Sequence, residues 1–183
     1  MKAKLIDGKR LSKEICVEVA AAVADIKVNY GVVPGLAVIL VGDDPASAVY
    51  VRNKHRAATE AGMLVEDFLL PGTISQTTLL ENLNKVAADK KFHGILIQLP
   101  LPSHIDERMI LDALDPCKDV DGLHPVNIGL LMTGRPRFVP ATPSGIQQML
   151  IRNGFDPEGK HVVVCGRSDI VGKPVSMLLM QPH

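Results

Sequence analysis

Apolar residues at Leu11, Ile15, Val19, Ala22, Val23 and Ile26 recur every three to four positions, which predicts a helix over 11–26 with Tyr30-Gly31 as its stop. The period then changes. Leu36-Ala-Val-Ile-Leu-Val41 is apolar without alternation, as a strand buried on both faces of a parallel sheet requires. A helix over 46–61 follows, closed by Gly62, and 64–70 reads as a second strand. Pro71-Gly72 is a turn, Ser75 caps a helix running to about residue 88, and Gly94-Ile-Leu-Ile-Gln98 is a third strand. A short helix is predicted over 105–114 and another from Thr142-Pro143 through 151, by hydroxyl capping with proline at the first helical position. Gly159-Lys-His-Val-Val-Val-Cys165 then reads as a β-branched strand and 171–180 as a helix. Strands alternating with helices predict an α/β fold of βαβ units with right-handed crossovers.

One stretch in this pattern carries chemistry. After the turn-like Gly42-Asp-Asp-Pro45, residues Ser47, Tyr50 and Lys54 fall on one helical stripe, so a hydroxyl, a phenol and an amine are expected to point the same way. A helix that follows a parallel strand starts at the carboxyl edge of the sheet, where open α/β sheets hold their ligands. The other reading is a solvated helix face, since Tyr and Lys four apart are common there. Leu99-Pro-Leu-Pro102 cannot continue a central strand, because both prolines lack the amide donor, so it forms a rigid loop at the same edge. Gln98, at the end of the apolar run, either faces Lys54 or ties down that loop. The acidic stretch Asp115 to Gly122 fails the EF-hand pattern: Cys117 stands at a ligand position and Ile128 where the glutamate belongs. Asp121 either caps locally or binds a donor-rich heterocycle.

Composition narrows the class. The 183 residues fit one large domain or two small ones, and 46% hydrophobic residues suffice for a core. Twenty basic residues balance twenty acidic ones and aromatics are only 3%, which argues against nucleic acid and membrane surfaces as partners. Cys16, Cys117 and Cys165 have no C-x-x-C spacing, so neither a disulfide framework nor a metal site is expected, and the reducing cytoplasm is the expected compartment. The first residues show no apolar targeting segment, and no run approaches the roughly 18 apolar residues of a membrane span.

Gly166-Arg-Ser-Asp-Ile-Val-Gly172-Lys-Pro174 joins the last predicted strand to the last predicted helix. Free amides and the helix dipole at such a junction suit an anion. The pattern is neither G-x-G-x-x-G nor a P-loop, so a phosphate-binding turn and a plain tight turn both stand.

Taken in order, Ser47-x-x-Tyr50-x-x-x-Lys54, Gln98-Leu-Pro-Leu-Pro102, Lys118-Asp-Val-Asp121-Gly with His124-Pro-x-Asn127, Pro140-x-Thr-Pro143 with Gly145, and Gly166-Arg-Ser-x-x-Val-Gly-x-Pro174 resemble the bifunctional methylenetetrahydrofolate dehydrogenase/methenyltetrahydrofolate cyclohydrolase family. The resemblance implies two α/β domains with mainly parallel sheets and a cleft between them. Residues 1–120 would be the folate-cleft catalytic domain, and 121–183 a linker and the first part of a Rossmann-like NADP-binding domain. It implies a catalytic group of Lys54, Gln98 and Tyr50, with Tyr50 on the aminobenzoate ring. Ser47, Gln98, Pro100, Leu101 and Asp121 would bind tetrahydrofolate derivatives, Asp121 holding the pterin. Gly166, Arg167, Ser168 and Gly172 would bind NADP, with Arg167 and Ser168 favouring its extra phosphate over NAD. The implied enzyme is cytoplasmic, serves one-carbon metabolism and purine biosynthesis, needs no metal, and is a homodimer in its full-length form. Its hydrolytic step needs a proton acceptor and donor, a task a lysine performs in its neutral form, reached through burial or a neighbouring cation.

Three departures from the family pattern are visible. Leu130 follows Gly129 where the family often has arginine, and Ala141 stands where it commonly has cysteine. Family members also continue with further strands and a closing helix, so the nucleotide domain is expected to be incomplete here and to bind NADP weakly. Two rival readings follow. One is an inactive or partly active folate-binding fragment. The other is a short-chain dehydrogenase, which shares the Y-x-x-x-K spacing but carries its glycine-rich turn before the tyrosine rather than after it.

Overall fold

The computed structural model describes residues 3–181. The chain divides into two compact units, Glu14–Asp119 and a second made of Met1–Lys13 with Val120–His183. The first is built on three parallel strands, β1 (Gly35–Val41), β2 (Leu64–Leu70) and β3 (Gly94–Ile97), in the order β2-β1-β3. The central place of β1 explains its unbroken apolar run, since both its edges are paired and both its faces covered. Its first residue must be glycine: a Cβ on Gly35 would lie 1.9 Å from the Lys91 carbonyl oxygen, and that close approach lets His93 N–H donate to Gly35 O at 2.8 Å.

Helices α1 (Gly8–Tyr30), α2 (Pro45–Glu60), α3 (Gln76–Ala88) and α4 (Glu107–Ala113) are those the periodicity predicts, with α1 longer at both ends. Ser75 caps α3 as expected, its hydroxyl accepting from Thr78 N–H. Alternate residues of the strands face opposite ways. On one face Ala37, Ile39, Val41, Ile95 and Ile97 pack with Leu79, Leu83 and Val86 of α3 and Ile110 of α4. Phe68 and Phe92 join them edge to face, ring centroids 5.7 Å apart. The other face carries Val38, Leu40, Leu96 and Asp67 and receives α2.

Strand β2 lies at the sheet edge and bears two charges in its middle, Glu66 and Asp67. Glu66 accepts from the Lys91 ammonium at 2.8 Å, and that hydrogen bond, opposed by desolvation, raises the lysine pKa above its ordinary value.

The second unit differs from expectation in three places. Helix α5 (Pro125–Met132) was not anticipated, although His124 accepts from Val126 N–H and Pro125 takes the first helical turn, both start signals. Helix α6 (Ala141–Ile151) begins after Pro140, so Thr142 is inside it and no hydroxyl caps it. Pro143 is tolerated because amides of the first turn have no helical partner to lose. Residues 159–165 form no strand. Among the described residues nothing pairs with them, and Val162 and Val163 are 44% and 74% exposed. β-Propensity reflects packing on neighbours and does not make a strand alone. Helix α7 (Gly172–Leu179) follows, and Gln181 beyond it donates to Leu131 O at 3.0 Å, tying this end to α5.

Candidate active site

Helix α2 starts where β1 ends. Gly42 turns the chain with φ of +88°, Asp44 accepts from Ser47 N–H at 2.7 Å, and Pro45 opens the helix. Side chains on a helix lean toward its N-terminus, so Lys54 leans back to the carboxyl edge of the sheet. There its Nζ donates to Gln98 Oε1 at 3.2 Å. Gln98 also donates through Nε2 to Leu99 O at 2.7 Å, and its backbone N–H donates to Ile39 O at 2.8 Å. The two readings of Gln98 were therefore not alternatives: one amide meets the lysine and secures the loop. Because its N–H₂ is committed to a carbonyl, its oxygen is the atom left for the amine.

The stripe 47-50-54 is less uniform than its spacing suggested. Ser47 is buried and Lys54 half-buried, whereas Tyr50 is 61% exposed. At about 100° per residue, Ser47 and Lys54 differ by only about 20° around the axis, and Tyr50 lies about 40° to 60° off. The phenol thus faces outward at the margin and the hydroxyl faces the sheet. The peptide Leu99–Pro100 is cis, Pro100 is exposed, and Leu101 packs half-buried on the core beside Leu99. At the same edge an open depression of about 480 Å³ is lined by Gly42, Asp43, Leu69, Leu70, Pro71 and Thr73.

The acidic motif is split between the units. Lys118 donates to Ala87 O and Asp89 O at the end of α3, at 2.6 and 3.2 Å, and its own carbonyl accepts from Ile95 N–H at 2.7 Å. Asp119, fully buried, bridges Ile95. Asp121 is half-buried and belongs to the second unit.

In that unit the turn before α7 is closed by Ser168, whose Oγ accepts from Val171 and Gly172 N–H at 3.2 and 3.1 Å. Gly172 has no room for a side chain, since a Cβ there would lie 2.6 Å from Arg167 N. Arg167 is exposed, and Lys173 is paired with Asp169 one turn away. Among the described residues no group of acidic, histidine or cysteine side chains suits a metal ion, and no helix is long and apolar enough to cross a membrane.

One contact escaped the sequence. His55 Nδ1 lies 2.8 Å from Asp67 Oδ2, joining α2 to β2. Two signals pointed to it: His55 continues the buried stripe four residues after Val51, and Asp67 interrupts an apolar strand.

These features define an open parallel α/β domain with a lysine-amide pair at the carboxyl edge of its sheet, followed by a unit with a glycine-pinched turn at a helix start. Residues 6–121 match the tetrahydrofolate dehydrogenase/cyclohydrolase catalytic domain, and residues 140–183 the NAD(P)-binding domain of the same family. The chain belongs to the tetrahydrofolate dehydrogenase/cyclohydrolase family. It is 53% identical to the bifunctional protein FolD of Streptococcus agalactiae serotype Ia, over 98% of this chain and 63% of that protein. Among solved structures, the bifunctional enzyme FolD of Campylobacter jejuni aligns with a TM-score of 0.93 at 43% identity, over 97% of this chain and 63% of the other. The methylenetetrahydrofolate dehydrogenase-cyclohydrolase (FolD) of Trypanosoma brucei, complexed with NADP cofactor and inhibitor, aligns with a TM-score of 0.93 at 38% identity, over 98% and 61%. The chain thus spans about 63% of the length of its streptococcal relative.

Proposed function

We propose that this chain carries the folate-site domain, residues 1–120, and, in residues 121–183, a linker and the first part of the NADP-binding domain of a cytoplasmic one-carbon enzyme. That enzyme oxidises methylene-tetrahydrofolate to methenyl-tetrahydrofolate and hydrolyses the product to formyl-tetrahydrofolate, and its full-length form is a homodimer. The observation that carries the reading is the 3.2 Å contact between Lys54 Nζ and Gln98 Oε1 at the carboxyl edge of the sheet, in a chain whose residues 6–121 and 140–183 match the two domains of this family.

Lys54 is the proton-transfer group. In the hydrolysis, water adds to the methenyl cation and loses one proton to give a neutral hydroxyl adduct; as the carbonyl forms and one carbon–nitrogen bond breaks, the hydroxyl proton leaves to solvent and the released nitrogen takes a proton up. A neutral amine accepts the first proton through its lone pair and returns it to the leaving nitrogen. The Gln98 side-chain amide, locked by the bond its Nε2 donates to Leu99 O, accepts one N–H of that amine at Oε1 and so directs the remaining positions. Tyr50, exposed at the margin, offers a flat face for the aminobenzoate ring, Pro100 and Leu101 supply apolar contact, and the buried Ser47 lines the base of the site. Asp121 accepts from the donor-rich pterin edge.

NADP would be held by Gly166, Arg167, Ser168 and Gly172, and these residues fit it. A Cβ on Gly166 would meet nothing nearer than Gly172 Cα at 4.0 Å, so backbone and phosphate can approach closely. Ser168 Oγ accepts two helix amides and keeps its hydroxyl hydrogen as a donor for an anion. The Arg167 guanidinium suits a phosphate oxygen pair. When bound, NADP supplies the acceptor for the hydride lost from the methylene carbon.

The test is Lys54→Met. Methenyl hydrolysis, followed by absorbance, is expected to be abolished while folate binding stays within about tenfold, the pattern of a lost transition-state contact. Persisting hydrolysis would overturn the assignment.

A further inference from the structure

Among the described residues of α2, those buried or half-buried are Ser47, Val51, Lys54, His55 and Ala58, and its C-cap Ala61 continues them. They form the stripe that lies on the sheet, and Lys54 and His55 are neighbours within it. Asp67 pairs in register with Val38 of β1, as does Leu96 of β3, and Gln98 follows Leu96 by two residues. By the period of two along a strand, Asp67 and Gln98 therefore face the same side of the sheet, one to each side of β1. Helix α2 packs on β2 and β1, and two adjacent residues reach to either side of β1: His55 to Asp67 on β2 at 2.8 Å, and Lys54 to Gln98 beyond β3 at 3.2 Å.

We infer that His55 and Asp67 are a positioning pair that fixes the roll of α2 and thereby the place of the Lys54 amine; this rests on the reading of Lys54 as the proton-transfer group. With side chains reaching roughly 5–6 Å from the helix axis, a roll of about 10° moves their ends by about 1 Å. The Lys54–Gln98 contact is already at the long end of the hydrogen-bond range, so such a roll toward β2 breaks it. The apolar members of the stripe, Val51, Ala58 and Ala61, hold the helix on the sheet but resist rolling weakly, because dispersion contacts are non-directional. A hydrogen bond to a carboxylate is directional. A carboxylate oxygen accepts, so in this bond His55 Nδ1–H is the donor. The other carboxylate oxygen, Oδ1, is buried without a hydrogen-bond partner among the described residues. Such an atom destabilises a fold. A pair kept for stability alone would be better replaced by apolar side chains, whereas a pair that aims the neighbouring lysine accounts for that cost.

The test compares His55→Ala with His55→Asn, which keeps a donor near the Nδ1 position, and with Asp67→Ala. Two readouts are taken on each: the side-chain amide resonances of Gln98 in ¹⁵N-labelled protein, and kcat and KM for methenyl-tetrahydrofolate hydrolysis. His55→Ala and Asp67→Ala are expected to shift the Gln98 resonances and to lower kcat about tenfold with KM within twofold, and His55→Asn to restore both. The inference is overturned if Gln98 keeps its resonances in both alanine variants, or if His55→Asn fares no better than His55→Ala at equal melting temperature. The Gln98 resonances report geometry without turnover, so the outcome stands whatever Lys54→Met does. Loss of hydrolysis in Lys54→Met with an indifferent His55 refutes this pair alone.

Discussion

Two stretches of the chain share one sequence pattern, an apolar run, a glycine-bearing turn and a helix start. In the first, Gly35–Val41 runs between two parallel neighbours, every residue but one buried, and α2 leaves from Asp44. In the second, residues 159–165 are just as β-branched yet pair with nothing among the described residues, while the turn and α7 still form. The turn needs only local contacts: Ser168 Oγ on two amides, and Gly172 packed on the Gly166 backbone. A strand needs another strand, and a helix start can be built by its own residues.

The largest effect that tests this contrast is Ile39→Ala. It is expected to destabilise the Glu14–Asp119 unit by about 2–5 kcal/mol in chemical denaturation, because Ile39 is fully buried among rigid neighbours. A loss under about 1 kcal/mol would mean that β1 is not the centre of the core. Next comes Gly172→Ala. Its methyl group would lie 2.6 Å from backbone atoms of Gly166 and Arg167. That overpacking is expected to cost roughly 1–3 kcal/mol and to weaken NADP about tenfold or more by calorimetric titration. Unchanged affinity would show that the turn is not the phosphate site. Arg167→Ala is expected to weaken NADP about tenfold more than NAD, the difference being one charge-assisted contact to the extra phosphate. Equal losses for the two nucleotides would count against that contact. The smallest effect belongs to Val163→Ala, expected within about 0.5 kcal/mol of the parent because the side chain is 74% exposed. A destabilisation of 2 kcal/mol or more would reveal a partner for this run that the contrast denies.

Much of the first unit was legible because its signals are local and agree with its packing: the unbroken run of β1, the proline loop after Gln98, the Ser75 cap. The second unit was less legible for the opposite reason. Its β-branched run met no neighbour, and α6 took Pro140 rather than Thr142 as its boundary because proline is indifferent to position within the first turn. At the candidate site, spacing brought out Lys54 and the run's end brought out Gln98, but no one-dimensional pattern states that they are 3.2 Å apart. The burial of Ser47 and the exposure of Tyr50 depend on where the sheet lies beneath α2, and the pairing of His55 with Asp67 depends on strand order. Both are properties of three dimensions.

Strand β2 has a consequence for self-association. Leu64-Val-Glu-Asp-Phe-Leu-Leu70 holds five apolar residues of seven and lies at the sheet edge with one row of backbone groups unpaired by the sheet. An edge of that composition is a template on which foreign strands stack. Glu66 and Asp67 interrupt it at its middle, on opposite faces, and each is anchored from another element, Glu66 by Lys91 and Asp67 by His55. Any strand adding at that edge must take water from Glu66, whose side chain is 45% exposed, and pack beside the His55–Asp67 pair. The two carboxylates therefore act as gatekeepers of solubility, and replacing both with valine would turn the same seven residues into an aggregation seed.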